Sequence, residues 1–147
     1  MDSTIREILK EKGTEVWFVA PTTTVFETLH LLSEKDIGAV VVMESGKLVG
    51  IFSERDYVRQ AVKDVGTIKH RPVADFMTRE VVTIAPEQTV KDAMLYMTAH
   101  HIRHLPVIEN DKLIGIITIG DVVKTVISDQ SQMLEEMENF ISGRYGR

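Results

Sequence analysis

The sequence predicts a mixed α/β fold of the α+β kind: two copies of one β-α-β-β-α unit, packed by their sheets about a pseudo-twofold axis. The first observation behind this is an internal repeat. Sliding the 147-residue chain against itself brings Pro21 onto Pro86, Gly50 onto Gly115 and Asp56 onto Asp121, always at an offset of 65. The 44 positions from Glu15 to Val58 align with Glu80 to Val123 without a gap, and 15 are identical. The second observation is the count: two repeats are too few for a solenoid, so each copy is expected to bury its apolar face on the other. The third is composition. With 44% hydrophobic and 27% charged residues, the chain matches an ordinary globular domain of about 150 residues.

Each element has its own signal. Upstream, Ile5-Arg6-Glu7-Ile8-Leu9 echoes Val73-Ala74-Asp75-Phe76-Met77 at an offset of 68, which places a three-residue insertion near Lys12-Gly13-Thr14. Val16 to Val19 and Val81 to Ile84 are short apolar runs, closed by Pro21 and Pro86, and read as strands. Trp17 and Phe18 read as core residues of the first strand, with the wall of an adenine pocket as the alternative. Thr24-Val25-Phe26-Glu27 and Thr89-Val90-Lys91-Asp92 place a hydroxyl three residues before a carboxylate, so each can open a helix with a capping box. Ala39 to Met43 with Leu48 to Phe52, and Leu105 to Ile108 with Leu113 to Ile117, read as hairpins around Glu44-Ser45-Gly46 and Glu109-Asn110-Asp111. A further helix follows in each copy, Glu54 to Lys63 and Ile119 to Ser128, with Asp64 to Arg71 as a polar linker. Met133, Leu134, Met137, Phe140 and Ile141 then recur at helical spacing up to a stop at Gly143. That tail helix is expected to cover its own domain or to enter a homodimer interface. The domain boundaries that result are 1–68, first repeat with an N-terminal helix; 69–128, second repeat; and 129–147, amphipathic helix and tail.

Charge and cysteine content narrow the function. Seventeen Lys and Arg against 22 Asp and Glu leave a net charge of −5, the wrong sign for tracking a phosphate backbone, so no nucleic acid partner is expected. The absence of cysteine excludes disulfides, thiolate nucleophiles and Cys-ligated metal centres. The first residues show no basic region followed by an apolar core, and no stretch approaches the roughly 18 apolar residues of a membrane span. No membrane association and a cytoplasmic location are the expectation.

The chemistry-bearing pattern is Gly-apolar-apolar-Ser/Thr-x-x-Asp, found as Gly50 to Asp56 and again as Gly115 to Asp121. Ser53 and Thr118 read as helix N-caps with Asp56 and Asp121 at the third position. The same geometry suits a ligand: free N–H groups and a hydroxyl attract phosphate, and a carboxylate can accept both hydroxyls of a ribose. The helix-to-strand turns diverge, Ile37-Gly38-Ala39 in one copy and Ile102-Arg103-His104 in the other. Gly38 and Ala39 let a flat ligand approach the backbone, whereas Arg103 and His104 can donate to phosphate or merely complement a helix C-terminus. His100, His101 and His104, with Asp56 or Asp121, leave open a small metal-dependent hydrolase. A purely structural dimerisation module, whose caps bind nothing, is the other alternative.

Taken together, Val73-Ala74-Asp75-Phe76-Met77-Thr78, Thr83-Ile84-Ala85-Pro86, Ile102-Arg103-His104-Leu105-Pro106-Val107 and the two Gly-to-Asp segments resemble the cystathionine-β-synthase (CBS) domain. The whole chain, over residues 3 to 128, resembles a stand-alone pair of such domains, a Bateman module. The resemblance implies a non-catalytic regulatory or energy-sensing protein, without a catalytic cofactor or metal. It would bind AMP, ADP, ATP, NAD(H) or S-adenosylmethionine in two clefts between the repeats. It further implies one cleft formed by Val16, Trp17 and Phe18, Ile37, Gly38 and Ala39 with Thr118, Ile119, Gly120 and Asp121. The other would be formed by Val81 to Thr83, Arg103, His104, Leu105 and Pro106 with Ser53, Arg55 and Asp56. Phe18 stands where the second repeat has Thr83, and Val41 where it has Pro106, so one cleft is expected to be partly filled by a side chain. The insertion at Lys12 to Thr14 offers one cleft a basic contact. Output is expected to pass to an unknown effector protein or through the protein's own homodimer.

Overall fold

The computed structural model describes residues 3–63 and 66–142. The chain order is α1 (Ile5–Lys12), β1 (Phe18–Val19), α2 (Val25–Lys35), β2 (Ala39–Glu44), β3 (Lys47–Ser53) and α3 (Glu54–Lys63). Single 3-10 turns at Ile68–His70 and Val73–Asp75 lead to α4 (Val90–His100), β4 (His104–Glu109), β5 (Lys112–Thr118) and α5 (Ile119–Ile141). The turn at Ile68–His70 lies in the expected polar linker, and Ile68 within it is buried.

Local chemistry explains the elements. Thr24 and Thr89 accept from the N–H groups of Glu27 and Asp92, opening α2 and α4; only Thr89 and Asp92 close a reciprocal capping box. Both hairpins turn through two residues of positive φ, Ser45-Gly46 (51°, 77°) and Asn110-Asp111 (51°, 63°). That is the geometry of type I′ turns, whose twist matches the strands they join. The first sheet runs β1-β2-β3, with β1 parallel and β3 antiparallel to β2. The second has β4 antiparallel to β5. The strand expected at Val81 to Ile84 is reduced to one parallel bridge, Ile84 to Val107. Pro106 is the cause: it stands where the first repeat has Val41 and carries no N–H to extend the ladder back toward Val82.

Two cores form, one per repeat, and each is completed by the segment leading into the other. Ile5, Ile8 and Leu9 of α1 pack with Ile84, Val90, Met97, Leu105 and Ile117 of the second repeat. Ile68, Val73 and Met77 pack with Val25, Leu32, Val40 and Phe52 of the first. The echo at offset 68 therefore has a structural meaning: Leu9 lies on Gly115 and Met77 on Gly50. A Cβ at Gly115 would stand 2.6 Å from Leu9 Cδ2, and one at Gly50 would collide with the Met77 side chain. The cores therefore do not divide at residue 68: α1 belongs to the second core, and Val73 and Met77 belong to the first. β3 lies against β5, which brings the two sheets together.

Two expectations are corrected. Trp17 and Phe18 are not core residues: they are 38% and 63% exposed, and Val19 alone of that strand is buried. Because side chains alternate along a strand, burying Val19 turns Phe18 outward, and Trp17 lies under the Lys35 ammonium, 4.3 Å from its ring centre. The helix expected to end near Ser128 and the separate tail helix are one, α5, unbroken for 23 residues. The expected stop, Gly143, lies outside the described residues.

Candidate functional site

The two Ser/Thr-x-x-Asp segments fold alike. Asp56 Oδ2 accepts from the Ser53 N–H at 2.9 Å and from the Ser53 hydroxyl at 3.0 Å, while the Asp56 N–H donates to Ser53 Oγ at 3.2 Å. Asp121 repeats this with Thr118 at 2.8, 3.0 and 3.2 Å. The helix-to-strand turns are matched as well: Asp36 and His101 adopt left-handed φ values of 52° and 55°. The Glu54 N–H bonds the Gly38 carbonyl at 3.0 Å, and the Ile119 N–H bonds the Arg103 carbonyl at 2.9 Å. Each turn is thereby tied to the first residue of the helix that carries the aspartate.

A cavity of about 680 Å³ opens between the repeats. Ser53, Arg55 and Asp56 come to it from the first repeat, and Val81, Arg103 and His104 from the second, as one of the two expected clefts requires. Gly38, Ala39 and Ile119, expected in the other cleft, line this one too. Val82, within the expected Val81 to Thr83 segment, lines it as well, whereas Arg59, Thr78 and Glu80 were missed; a helical step of four from Arg55 could have found Arg59. Leu105 and Pro106 are buried and, with Thr83, lie outside the lining. Arg55 Nη1 donates to the His101 carbonyl at 3.0 Å, bridging the repeats. Among the described residues neither Arg59 nor Arg103 has an acidic partner within salt-bridge distance. The cavity thus joins a capped carboxylate, apolar walls and cationic groups free to take an anion.

His104 sits where the repeats meet; a Cβ on Gly38 would stand 3.3 Å from its Cε1. Burial, with Lys12 and Arg103 nearby, pushes its pKa below 6.5, against the opposing pull of Asp121. The other expected cleft, around Thr118 and Asp121, holds a side chain of the protein itself: Lys12 Nζ donates to Asp121 Oδ2 at 2.6 Å and to the Ile116 carbonyl at 2.8 Å. Burial alone would raise the Asp121 pKa, but the bonds from Lys12 and Thr118 outweigh it and hold the carboxyl below its usual range. Gly120 lies beside Thr118, its Cβ position 3.6 Å from Thr118 Oγ1. A second cavity, of about 440 Å³ and largely apolar, runs between α4 and α5 past Met97, Val122 and Val126. Among the described residues, no three His, Cys, Asp or Glu side chains converge to hold a metal, so the hydrolase alternative lacks its donor set. None of the described helices is long and apolar enough to cross a membrane.

Two β-α-β-β-α units, sheet against sheet with a polar-rimmed cavity at their junction, define a domain pair built around an interdomain cleft. The chain belongs to the CBS domain family, whose profile matches residues 5–63 and 73–128. It is 36% identical to the mitochondrial CBS domain-containing protein CBSX3 of Arabidopsis thaliana, over 97% of this chain and 74% of that one. A solved protein with CBS domains from Burkholderia ambifaria MC40-6 superposes with a TM-score of 0.82 at 40% identity, covering 87% of this chain and 96% of its own. CBSX2, solved in complex with AMP, superposes with a TM-score of 0.72 at 27% identity, covering 87% and 98%.

Proposed function

We propose that the protein is a non-catalytic regulatory module that binds an adenosine 5′-phosphate, AMP first among the candidates, in the Ser53–Asp56 cavity. The observation that carries this reading is that Asp56 and Arg59, on one helix of the first repeat, line the same cavity as Val81, Val82 and Arg103 of the second. Asp56 accepts the ribose hydroxyls, the apolar walls hold adenine, and the unpaired guanidiniums take the phosphate. The AMP complex of CBSX2 supports the ligand class. Ligand held by both repeats favours one packing of them, and that difference is what an effector protein reads. We propose a homodimer as the working assembly and the cytoplasm as its location. Fractionation of source cells checks the latter, since the plant relative is named mitochondrial.

The test is calorimetric titration with AMP, adenosine, ADP, ATP and NAD⁺. AMP is expected to bind more tightly than adenosine. Asp56→Ala is expected to weaken AMP by about ten- to hundredfold, since bonds to a charged group contribute about 1.5–3 kcal/mol. A folded wild-type chain that takes up none of the five removes the reading.

A further inference from the structure

The two aspartate caps match to within 0.1 Å, yet their surroundings differ in one respect that decides what each can hold. Asp56 has no salt-bridge partner among the described residues, whereas Asp121 is paired with Lys12. Resting on the nucleotide reading above, we propose that Lys12 is a built-in occupant of the Asp121 cleft. Each chain then takes one adenosine ligand, in the Ser53–Asp56 cavity, and not two.

The sequence difference that produces this is the three-residue insertion. α1 continues to Lys12 and stops at Gly13, whose φ of 99° disfavours any other residue and whose N–H caps the Leu9 carbonyl. Its counterpart before the second repeat is a 3-10 turn, Val73–Asp75, too short to deliver a side chain in the same way. The gapless alignment pairs Glu80 with Glu15, so Lys12, within the insertion, has no counterpart in the second repeat, and Glu80, an anion, lines the open cavity. One cleft therefore receives a cation that satisfies its aspartate, and the other an acid that cannot.

Lys12 is fixed from behind. Ile5, Ile8 and Leu9 anchor α1 in the second core, and Leu9 is wedged on Gly115 in β5, the strand whose Ile116 carbonyl also accepts from Lys12. The ammonium makes two bonds from a side chain that is 28% exposed, to a carboxylate that is 20% exposed. A ribose entering this cleft would exchange an ammonium–carboxylate ion pair, charged on both sides, for hydroxyl bonds to the same carboxylate that are charged on one side only. It would also strand the ammonium beside it. The Asp56 cavity asks for no such exchange.

Stoichiometry with AMP, read by calorimetry on the full chain, tests the proposal. At AMP concentrations that just saturate wild type, wild type is expected to bind one AMP per chain, Asp56→Ala to leave that site mostly empty because it is about ten- to hundredfold weaker, Lys12→Ala to bind two, and Lys12→Ala with Asp56→Ala to keep one tight site. Should Lys12→Ala fold poorly by circular dichroism, Lys12→Ser carries the same measurement. Retention of one AMP per chain by Lys12→Ala overturns the proposal and leaves the nucleotide reading standing. So does a second AMP on wild type that persists in Asp56→Ala and disappears in Asp121→Ala. Absence of binding to wild type and every variant removes the nucleotide reading, and the plug falls with it.

Discussion

At the scale of single residues, His104 couples pH to the junction between the repeats. Its imidazole is held neutral chiefly by burial, then by Lys12 and Arg103, with Asp121 pulling the other way. The unfolded chain therefore binds a proton near pH 6.5 that the folded chain refuses, and stability must fall as pH drops from above 6.5 toward the lowered folded value. Urea midpoints at pH 7.5 and 5.5, a window above most carboxylate titration, are expected to differ less in His104→Gln than in wild type; equal differences would discard this assignment. Sequence placed His104 at the junction but left open whether it served a phosphate or a helix end. The answer depends on Gly38 and Lys12, 66 and 92 residues away along the chain. The insertion at Lys12 to Thr14 offered a basic contact to one cleft without saying which. Only the packing of α1 on β5 shows which carboxylate Lys12 meets.

At the scale of elements, local signals were read well and long-range ones poorly. The limits of α3 and both hairpins follow from Ser/Thr-x-x-Asp, β-rich pairs and polar turn residues, all of which act within a few positions. The division of α5 failed because Ser128 to Ser131 is polar without glycine or proline, and such residues weaken a helix without ending it. Continuity has a consequence for assembly. Val123, Ile127, Leu134, Met137 and Ile141 fall on one seam, with Gln130 completing spacings of three and four, and each of these five apolar side chains is at least 49% exposed. Met133 and Phe140 widen the stripe, which is more apolar surface than a lone helix ordinarily leaves to water. If this seam is the homodimer contact, light scattering coupled to size exclusion is expected to give a dimer for wild type and a monomer for Leu134→Glu with Met137→Glu. A monomeric wild type, or a double variant that stays dimeric, would move the contact elsewhere.

At the scale of the whole molecule, the repeat announced two equal halves, and what it could not announce is that the halves are interlocked. The echo of Ile5 to Leu9 in Val73 to Met77 is visible in sequence, but nothing local says that each segment completes the other repeat's core; that follows from Leu9 meeting Gly115 and Met77 meeting Gly50. Neither repeat has a full core without a segment of the other, so the pair is expected to melt in a single transition. A ligand bridging Asp56 and Arg103 must then stabilise both halves at once. At about one hundred times its Kd, AMP adds about 2.7 kcal/mol by mass action, which for a chain of this length is roughly 5–10 °C in Tm. Differential scanning calorimetry is expected to show one peak that moves up by that amount with AMP, and by about half of it or less for Asp56→Ala. Two peaks, only one of them moved by AMP, would mean that the repeats unfold independently and that the exchanged segments do not bind them into one unit.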